Sequence, residues 1–542
     1  MAKISNPYRL LITGFKASIV LMTLLSGIVG VADADDSLTT IELLGRKIYR
    51  EGSDGSQHEI TATLGLTEDS VPVTTFACAN CHGLEGEGKQ EGGLTVPALT
   101  SQQLFANTGS NTQAKSAYNE TTLLRAITKG INAQTNTLSA AMPRYHLADS
   151  QAQALLAYLK RLGSVGDADV GVTASEVQLA TLLPLTGALE NTGKILKATL
   201  DACVAEVNGQ GLIYGRKINL AALDSGNTKE EILAATQRLQ TETKVFALIS
   251  GYFPEITSDL YEVLAQEKIP VIAPLTFIPN NSPVPLSSFF YFLPSYEDQS
   301  RALIDYWLTQ LSKGKGSKSP KLAIIHSDRT VDLMVAESIR EQLQRNQLNA
   351  AADVIIPQAT QKPAGNQLTK LESANTDAVF FIGTAKELAS FNKLMPEKGH
   401  QPILLGLLAM LGADVLNIPE LTMSKMLLAN PFDLNDPEMP QFLDIMKKYS
   451  VTIQSPGLQR IACAAVNFVA EGLKRTGKHL TRGKFTHSLD ETKNFPLGIM
   501  PPLQFGPSRR QGVKGAYILT VDIKTRTLSP LSGWITPSDT LH

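Results

Sequence analysis

Residues 78–82 read Cys-Ala-Asn-Cys-His, and no other stretch limits this chain so sharply. Two thiols at this spacing can add to the two vinyl groups of one haem, and the next residue, His82, is then placed under the iron. Two other chemistries use a Cys-x-x-Cys pair. A zinc site needs two more ligands at a suitable spacing, and the sequence offers no second Cys-x-x-Cys and no paired histidines. A redox dithiol leaves the histidine and its flanking block without a role. Covalent attachment of one haem c through Cys78 and Cys81, with His82 as iron ligand, uses all three residues.

The N-terminus fits the compartment in which such attachment occurs. Lys3, Arg9 and Lys16 supply a positive segment, Ala17–Val31 carries no charge, and Ala32-Asp33-Ala34 has the small-x-small pattern of a cleavage site. This predicts an exported, periplasmic protein cut after Ala34. The competing reading, an uncleaved anchor, needs about 20 apolar residues, more than this run supplies. Over 542 residues, 43% are hydrophobic, 18% are charged and the formal net charge is −2. A folded multidomain protein is expected, with no basic field to draw nucleic acid.

Three blocks follow the leader (1–34). The first, 35–162, opens with a helix over 38–50 whose expected buried positions are Ile41, Leu44, Ile48 and Tyr49. Weak strand character follows at 60–66. Helices are predicted over 120–129, stopped by Gly130, and over 149–162, stopped by Gly163. Residues 163–175 are small and polar and read as a flexible linker. From 176 to 542, short β-rich runs alternate with helical patterns, which argues for parallel α/β sheets in two lobes.

The iron needs a sixth ligand or an open position. Met142, in Met-Pro-Arg-Tyr just before the third helix, is the candidate; a thioether there raises the reduction potential. A lone Met is otherwise a core filler, and His146 and His58 are rivals without supporting context. Gly45 and Tyr49, CANCHG at 78–83, Gly86, Gly88, Pro97 and AAMPRYHLADSQAQALLAYLKRL at 140–162 together resemble the class I cytochrome c family. The resemblance implies an all-α domain around haem, with thioether attachment at Cys78 and Cys81 and iron ligation by His82 and Met142. It also implies that the Pro97 carbonyl orients the His82 ring. The stretch between Tyr49 and Cys78 is much longer than the family's usual link, and Ala148 stands where a Ser or Thr cap is common.

Residues 176–520 resemble the type I periplasmic binding proteins, the group of the branched-chain amino-acid receptors. The carriers are LLPLTG at 182–187, EVNGQGLIYGRKINL at 206–220, ISGYF at 249–253, KIPVIAP at 268–274, LPSYEDQ at 293–299 and AAVNFVAEGLKRTG at 464–477. Two α/β lobes joined by three crossings are implied, lobe 1 as about 176–296 plus 431–508 and lobe 2 as about 297–430 plus 509–542. They would close on a small-molecule ligand between them. Positions matching pocket loops are Thr186, Gly187, Gly251, Tyr252, Phe253, Leu275, Thr276, Phe277 and Tyr296, facing 327–329 and 383–384 from lobe 2. Where amino-acid receptors place Ser and Thr to hold a carboxylate, this chain has Tyr252-Phe253-Pro254-Glu255. An aromatic, apolar pocket is expected instead. Cys203 and Cys463 fall on predicted lobe 1 helices; they can pair in an oxidising periplasm or stay as two buried free thiols, and the second is the plainer reading, since spacing alone does not bring their Cα atoms within disulfide reach. The run 504–510 reads as a turn with two solvated arginines.

No hydrolytic triad, phosphate loop or flavin fingerprint is found, so no enzyme is expected. The leading expectation is a one-electron carrier whose receptor module gates or directs it, with a redox protein as partner. The alternative is a substrate-binding protein for an ABC-transporter permease or a membrane sensor, with an accessory haem domain.

Overall fold

The computed structural model describes residues 38–538 apart from 57–58, 65–69, 92–93, 107–116, 165–166, 168, 174, 254–257, 267, 278–287, 314–318, 359–366, 394–400, 419–424, 479 and 523–524. The leader, its cleavage position, His58 and Glu255 lie outside the described residues. Among the described residues, no helix is long and apolar enough to cross a membrane.

The first domain comprises α1 (Thr40–Glu51), β1 (Thr61–Thr63), β2 (Ser70–Pro72), α2 (Cys78–His82), β3 (Lys89–Glu91), β4 (Leu94–Val96), α3 (Ser101–Phe105), α4 (Glu120–Lys129), β5 (Arg144–His146) and α5 (Asp149–Leu159). Thr39 and Glu42 form a capping box at the start of α1, and left-handed Gly52 ends it. Helices α1 and α5 cross at Gly45, where an added Cβ would fall 1.9 Å from the Ala154 carbonyl oxygen. That crossing turns Ile41 outward, 45% exposed, contrary to expectation; Ile48 and Tyr49 are buried with Leu155, Tyr158 and Leu162. The long stretch after Tyr49 forms β1 and β2, which pair antiparallel with β5 as a sheet β2-β1-β5. A small sheet therefore adjoins the helices, and the strand that follows Met142, β5, is one of its edges.

The described residues of 163–175 are not a free tether. Asp167 is buried; its carboxylate accepts from the Tyr158 hydroxyl at 3.0 Å and the Gly163 amide at 3.2 Å, and pairs with Arg50 at 3.4 Å. Asp169 accepts from the Arg482 amide at 2.7 Å, and Gly171 packs on the backbone of 244–246. Small polar composition allowed a flexible linker; these tertiary partners hold it.

Lobe 1 begins with β6 (Glu176–Leu183), α6 (Glu190–Gly209), β7 (Lys217–Asp224), α7 (Lys229–Glu242), β8 (Ala247–Ile249), α8 (Ser258–Gln266), β9 (Val271–Ile272) and β10 (Phe289–Phe290). Its sheet is parallel, in order β10-β9-β8-β6-β7. Lobe 2 has α9 (Tyr296–Lys313), β11 (Leu322–His326), α10 (Thr330–Arg345), β12 (Ala352–Ile355), α11 (Gln367–Ala374), β13 (Ala378–Phe381), α12 (Ala385–Asn392), β14 (Ile403–Leu407), α13 (Leu408–Leu411) and β15 (Lys425–Asn430). The chain then returns to lobe 1 for α14 (Met439–Lys448), α15 (Pro456–Thr476) and α16 (Arg482–Asp490), whose side chains join the lobe 1 core. A last crossing leads to β16 (Ala516–Asp522) and β17 (Thr527–Ile535), which complete the lobe 2 sheet, β12-β11-β13-β14-β15-β16-β17.

Cys203 on α6 and Cys463 on α15 are not free thiols but a disulfide, their Cα atoms 5.5 Å apart; 260 residues of sequence separation hid the helix contact that joins them. Arg510 is not solvated: it is buried, pairs with Asp490 at 2.7 Å and lies over the Phe290 ring.

Candidate haem centre and ligand cleft

The five-residue helix α2 is held at both ends by tyrosines. Tyr49, on α1, donates its hydroxyl to the Gly83 carbonyl at 2.8 Å; Tyr145, on β5, donates to the Phe76 carbonyl at 2.9 Å. Burial pushes both hydroxyls well above the usual tyrosine range, so both remain donors. The β3–β4 hairpin then delivers Pro97, whose carbonyl accepts the His82 Nδ1 hydrogen at 2.9 Å. Burial holds the His82 pKa below the ordinary histidine range despite that hydrogen bond. The ring is thus neutral with Nδ1 protonated, and Nε2 keeps its lone pair for a metal.

Beside this ring lies a cavity of about 440 Å³, within the size range of cofactor sites, roughly 300–1,000 Å³. Cys78, Cys81, His82, Pro97 and Met142 all line it, with Leu104, Leu123, Ile127 and Leu155. Neither Asp, Glu, Lys nor Arg is among its described lining residues. Cys78 and Cys81 are both unbonded thiols, and burial pushes the Cys78 thiol up to about 11. Two free thiols, a neutral imidazole, a thioether and apolar walls are the donor set and surface that haem c requires, so the residues present fit it. His146 is exposed, with Nδ1 3.3 Å from the Thr61 hydroxyl, and does not line the cavity.

In lobe 1 the strand order reverses between β6 and β8, and in lobe 2 between β11 and β13. Ligands of open α/β sheets bind beyond the carboxyl ends of strands at such reversals. The four loops so selected hold Thr186–Gly187, Gly251–Phe253, Ser327–Arg329 and Gly383–Thr384. Thr186 is exposed and donates to Asp224 at 2.6 Å. Burial raises the Asp224 carboxyl, but hydrogen bonds from Thr186, Gly226 and Leu185 outweigh it and hold the pKa below the ordinary range.

The structure brings Tyr252, Phe277 and Tyr296 together. Phe277 and Tyr296 stack with ring centroids 5.1 Å apart. Burial, then the neighbouring Tyr252 and Asp332, push the Tyr296 hydroxyl well above the tyrosine range. Gly251 and Thr276 are buried, whereas Phe253 and Leu275 sit in the two cores that flank the lobe 1 sheet. From lobe 2, sequence reading missed a charge cluster. Buried Asp332 accepts from Ser327 Oγ at 2.7 Å and from Arg329 at 2.8 and 3.0 Å; Arg329 also pairs with Glu387 at 3.1 Å. The only local signal was an Asp and a Glu in the first turns of two helices.

Comparisons with known proteins agree with this division. A family model described as periplasmic binding protein matches residues 176–527, and one described as cytochrome c matches residues 73–163. The chain belongs to the periplasmic binding protein family. It carries a cytochrome c domain, with covalent haem c, ahead of the binding-protein domain. A "Leu/Ile/Val-binding protein homolog 3" of Brucella melitensis is 24% identical over 349 residues, 63% of this chain and 91% of that protein. An "Amino acid binding protein" of Pseudomonas aeruginosa is 25% identical over 227 residues, 42% of this chain and 58% of that one. Among solved structures, a branched-chain amino-acid transporter substrate-binding protein of Streptococcus pneumoniae in complex with isoleucine superposes with TM-score 0.51 at 18% identity, over 66% of this chain and 99% of that one. A fatty acid ABC transporter substrate-binding protein of Thermomonospora curvata gives 0.52 at 17%, over 69% and 95%. These likenesses establish the fold. Both families are typically exported to the periplasm and generally non-catalytic.

Proposed function

We propose that this protein is an exported one-electron carrier coupled to a small-molecule receptor. Cys78 and Cys81 would attach the haem, His82 and Met142 would hold its iron, and the Pro97 carbonyl sets the His82 ring. The domain limits are 1–34 for the leader, 35–162 for the haem domain, 163–175 for the connector and 176–542 for the receptor. The observation that carries this reading is the His82–Pro97 hydrogen bond at the wall of a cavity that also includes both thiols and Met142. When bound, haem c supplies a reversible one-electron iron couple. The uncharged walls and the thioether both disfavour the more positive ferric state and so raise the potential. With His82 and Met142 both holding the iron, the haem would supply electron transfer with a partner protein rather than peroxide chemistry. A redox titration and carbon monoxide addition to the reduced full-length protein test this. One reversible couple and no spectral response to carbon monoxide are expected; a carbon monoxide complex overturns the His/Met assignment.

For the receptor, the relatives' names suggest a branched-chain amino acid. The grouped rings of Tyr252, Phe277 and Tyr296, and an Arg329 already engaged by two carboxylates, favour an aromatic or apolar ligand without a carboxylate. Melting shifts of the full-length protein with benzyl alcohol and phenol, against L-leucine and benzoate, decide it. A shift with L-leucine alone refutes the aromatic reading.

A further inference from the structure

We propose that Arg144 is the positioning residue that makes Met142 an iron ligand; the inference rests on the reading of Met142 as the axial thioether. The loop between α4 and β5 lines the cavity through Asn132, Leu138, Ser139, Ala141 and Met142. Its first limb is closed by an Ile131–Thr137 bridge and an Asn132 N–H to Asn136 O bond, whereas the backbone bonds of the limb that carries Met142 are Met142 N–H to Ser139 O at 3.1 Å and Leu138 N–H to Gly130 O at 2.7 Å. Met has three rotatable bonds and a soft sulfur, so placing the sulfur depends on holding the backbone that carries it.

Arg144 supplies that hold. Its Nη1 donates to the Met142 carbonyl at 2.5 Å, and its Nη2 donates to the Leu138 and Ser139 carbonyls at 3.1 and 3.2 Å. One planar fork thus gathers three carbonyls of the 138–142 limb that leads into β5, a geometry that the single ammonium of Lys cannot reproduce. The clamp is rooted in β5, where Arg144 pairs with Thr63 in the three-stranded sheet. Room for the guanidinium comes from Gly130, the left-handed residue that ends α4; an added Cβ there would lie 1.9 Å from Arg144 Nε. The stop signal of the helix and the clamp of the loop are therefore the same contact. The extra sheet, absent from an all-helical expectation, gives the clamp its fixed end.

The test compares wild type with Arg144→Leu, Arg144→Lys and Met142→Ala, all as full-length protein with covalent haem. The readouts are the weak thioether-to-ferric charge-transfer band, carbon monoxide binding by the reduced form, and the reduction potential. Both Arg144 variants should lose most of the band, gain carbon monoxide binding and titrate at a lower potential, approaching Met142→Ala. Arg144→Lys keeps the charge and loses the fork, so full recovery in that variant overturns the clamp in favour of a charge effect. It also covers the case in which Arg144→Leu fails to incorporate haem. Arg144 variants indistinguishable from a wild type that excludes carbon monoxide overturn this inference alone. A wild type that itself binds carbon monoxide overturns the axial reading of Met142, and the inference with it.

Discussion

Gly45→Ala separates local helix preference from tertiary packing, because the two predict opposite signs. In an isolated helix the change stabilises by about 0.8–1.0 kcal/mol. Here the added Cβ would stand 1.9 Å from the Ala154 carbonyl oxygen, 2.6 Å from its carbon and 2.7 Å from Tyr158 Cβ. Ordinary contacts lie near 3.5 Å, so α1 and α5 must part by about 1 Å or more. Overpacking costs about 1–3 kcal/mol. Two of the three atoms are backbone and the third belongs to a fully buried tyrosine, which puts the cost at the upper end. The net expectation is destabilisation by about 2 kcal/mol, a fall of roughly 8 °C in the melting of a domain this size. The assay is thermal denaturation of the full-length protein followed at the haem absorbance. The haem environment should shift too, since Tyr49 on α1 holds the end of α2 through Gly83. A melting temperature equal to or above wild type would refute the close-packed crossing.

Replacing Cys203 and Cys463 together with Ala should cost about 2–4 kcal/mol by freeing a long loop in the unfolded chain, seen as an earlier melt of the receptor domain with the haem spectrum unchanged. Asp436→Ala leaves buried Arg460 with Glu438, which is part exposed, the Leu497 carbonyl and the Phe442 ring; about 3 kcal/mol should be lost, measured by denaturant unfolding. Lys484 faces Glu85 at 3.5 Å and Glu87 at 3.7 Å. Lys484→Ala should change stability by less than about 1 kcal/mol. Lys484→Glu should speed proteolysis of the connector at low salt, an effect that shrinks at 1 M salt, where the screening length is about 3 Å.

Features with local causes were legible in the chain. Helix α4 runs over Glu120–Lys129, the limits read from the sequence, because Asn119 caps its start and Gly130 adopts the left-handed conformation at its end. The alternation of strands and helices likewise carried the two-lobed fold. Features with distant causes were not legible. The exposure of Ile41 depends on where α5 crosses α1, and the disulfide depends on a contact between helices 260 residues apart. Asp167 looks like linker until Tyr158 and Arg50 are seen around it. At the haem centre, residue types alone pointed to Cys78, Cys81 and His82, whereas the clamp on the Met142 loop needed β1 and β5 to be paired. In the candidate cleft, a ring read as pocket-facing in sequence, Phe253, is core, because its backbone bonds to Leu275 O and its ring packs in the cluster that holds Leu248 and Val271.

The placement of the haem domain limits how the receptor can speak to it. Asp169 bonds Arg482, Gly171 lies on the backbone of 244–246, and Lys484 reaches Glu85. The connector and the 244–246 backbone lead into the amino-terminal ends of β6 and β8. The candidate ligand cleft lies beyond their carboxyl ends. Strand β6 spans Glu176–Leu183, which at about 3.3 Å per residue separates the two ends by about 25 Å. In the reading proposed above, lobe closure then moves lobe 2 while lobe 1 and the haem domain travel together. On that reading a bound ligand would alter the surface offered to a partner protein and leave the ligands and walls of the iron as they are. Ligand binding should therefore leave the reduction potential unchanged and alter the bimolecular rate of electron exchange with the partner protein. A potential that shifts on ligand binding, with the connector intact, would place the coupling inside the haem domain.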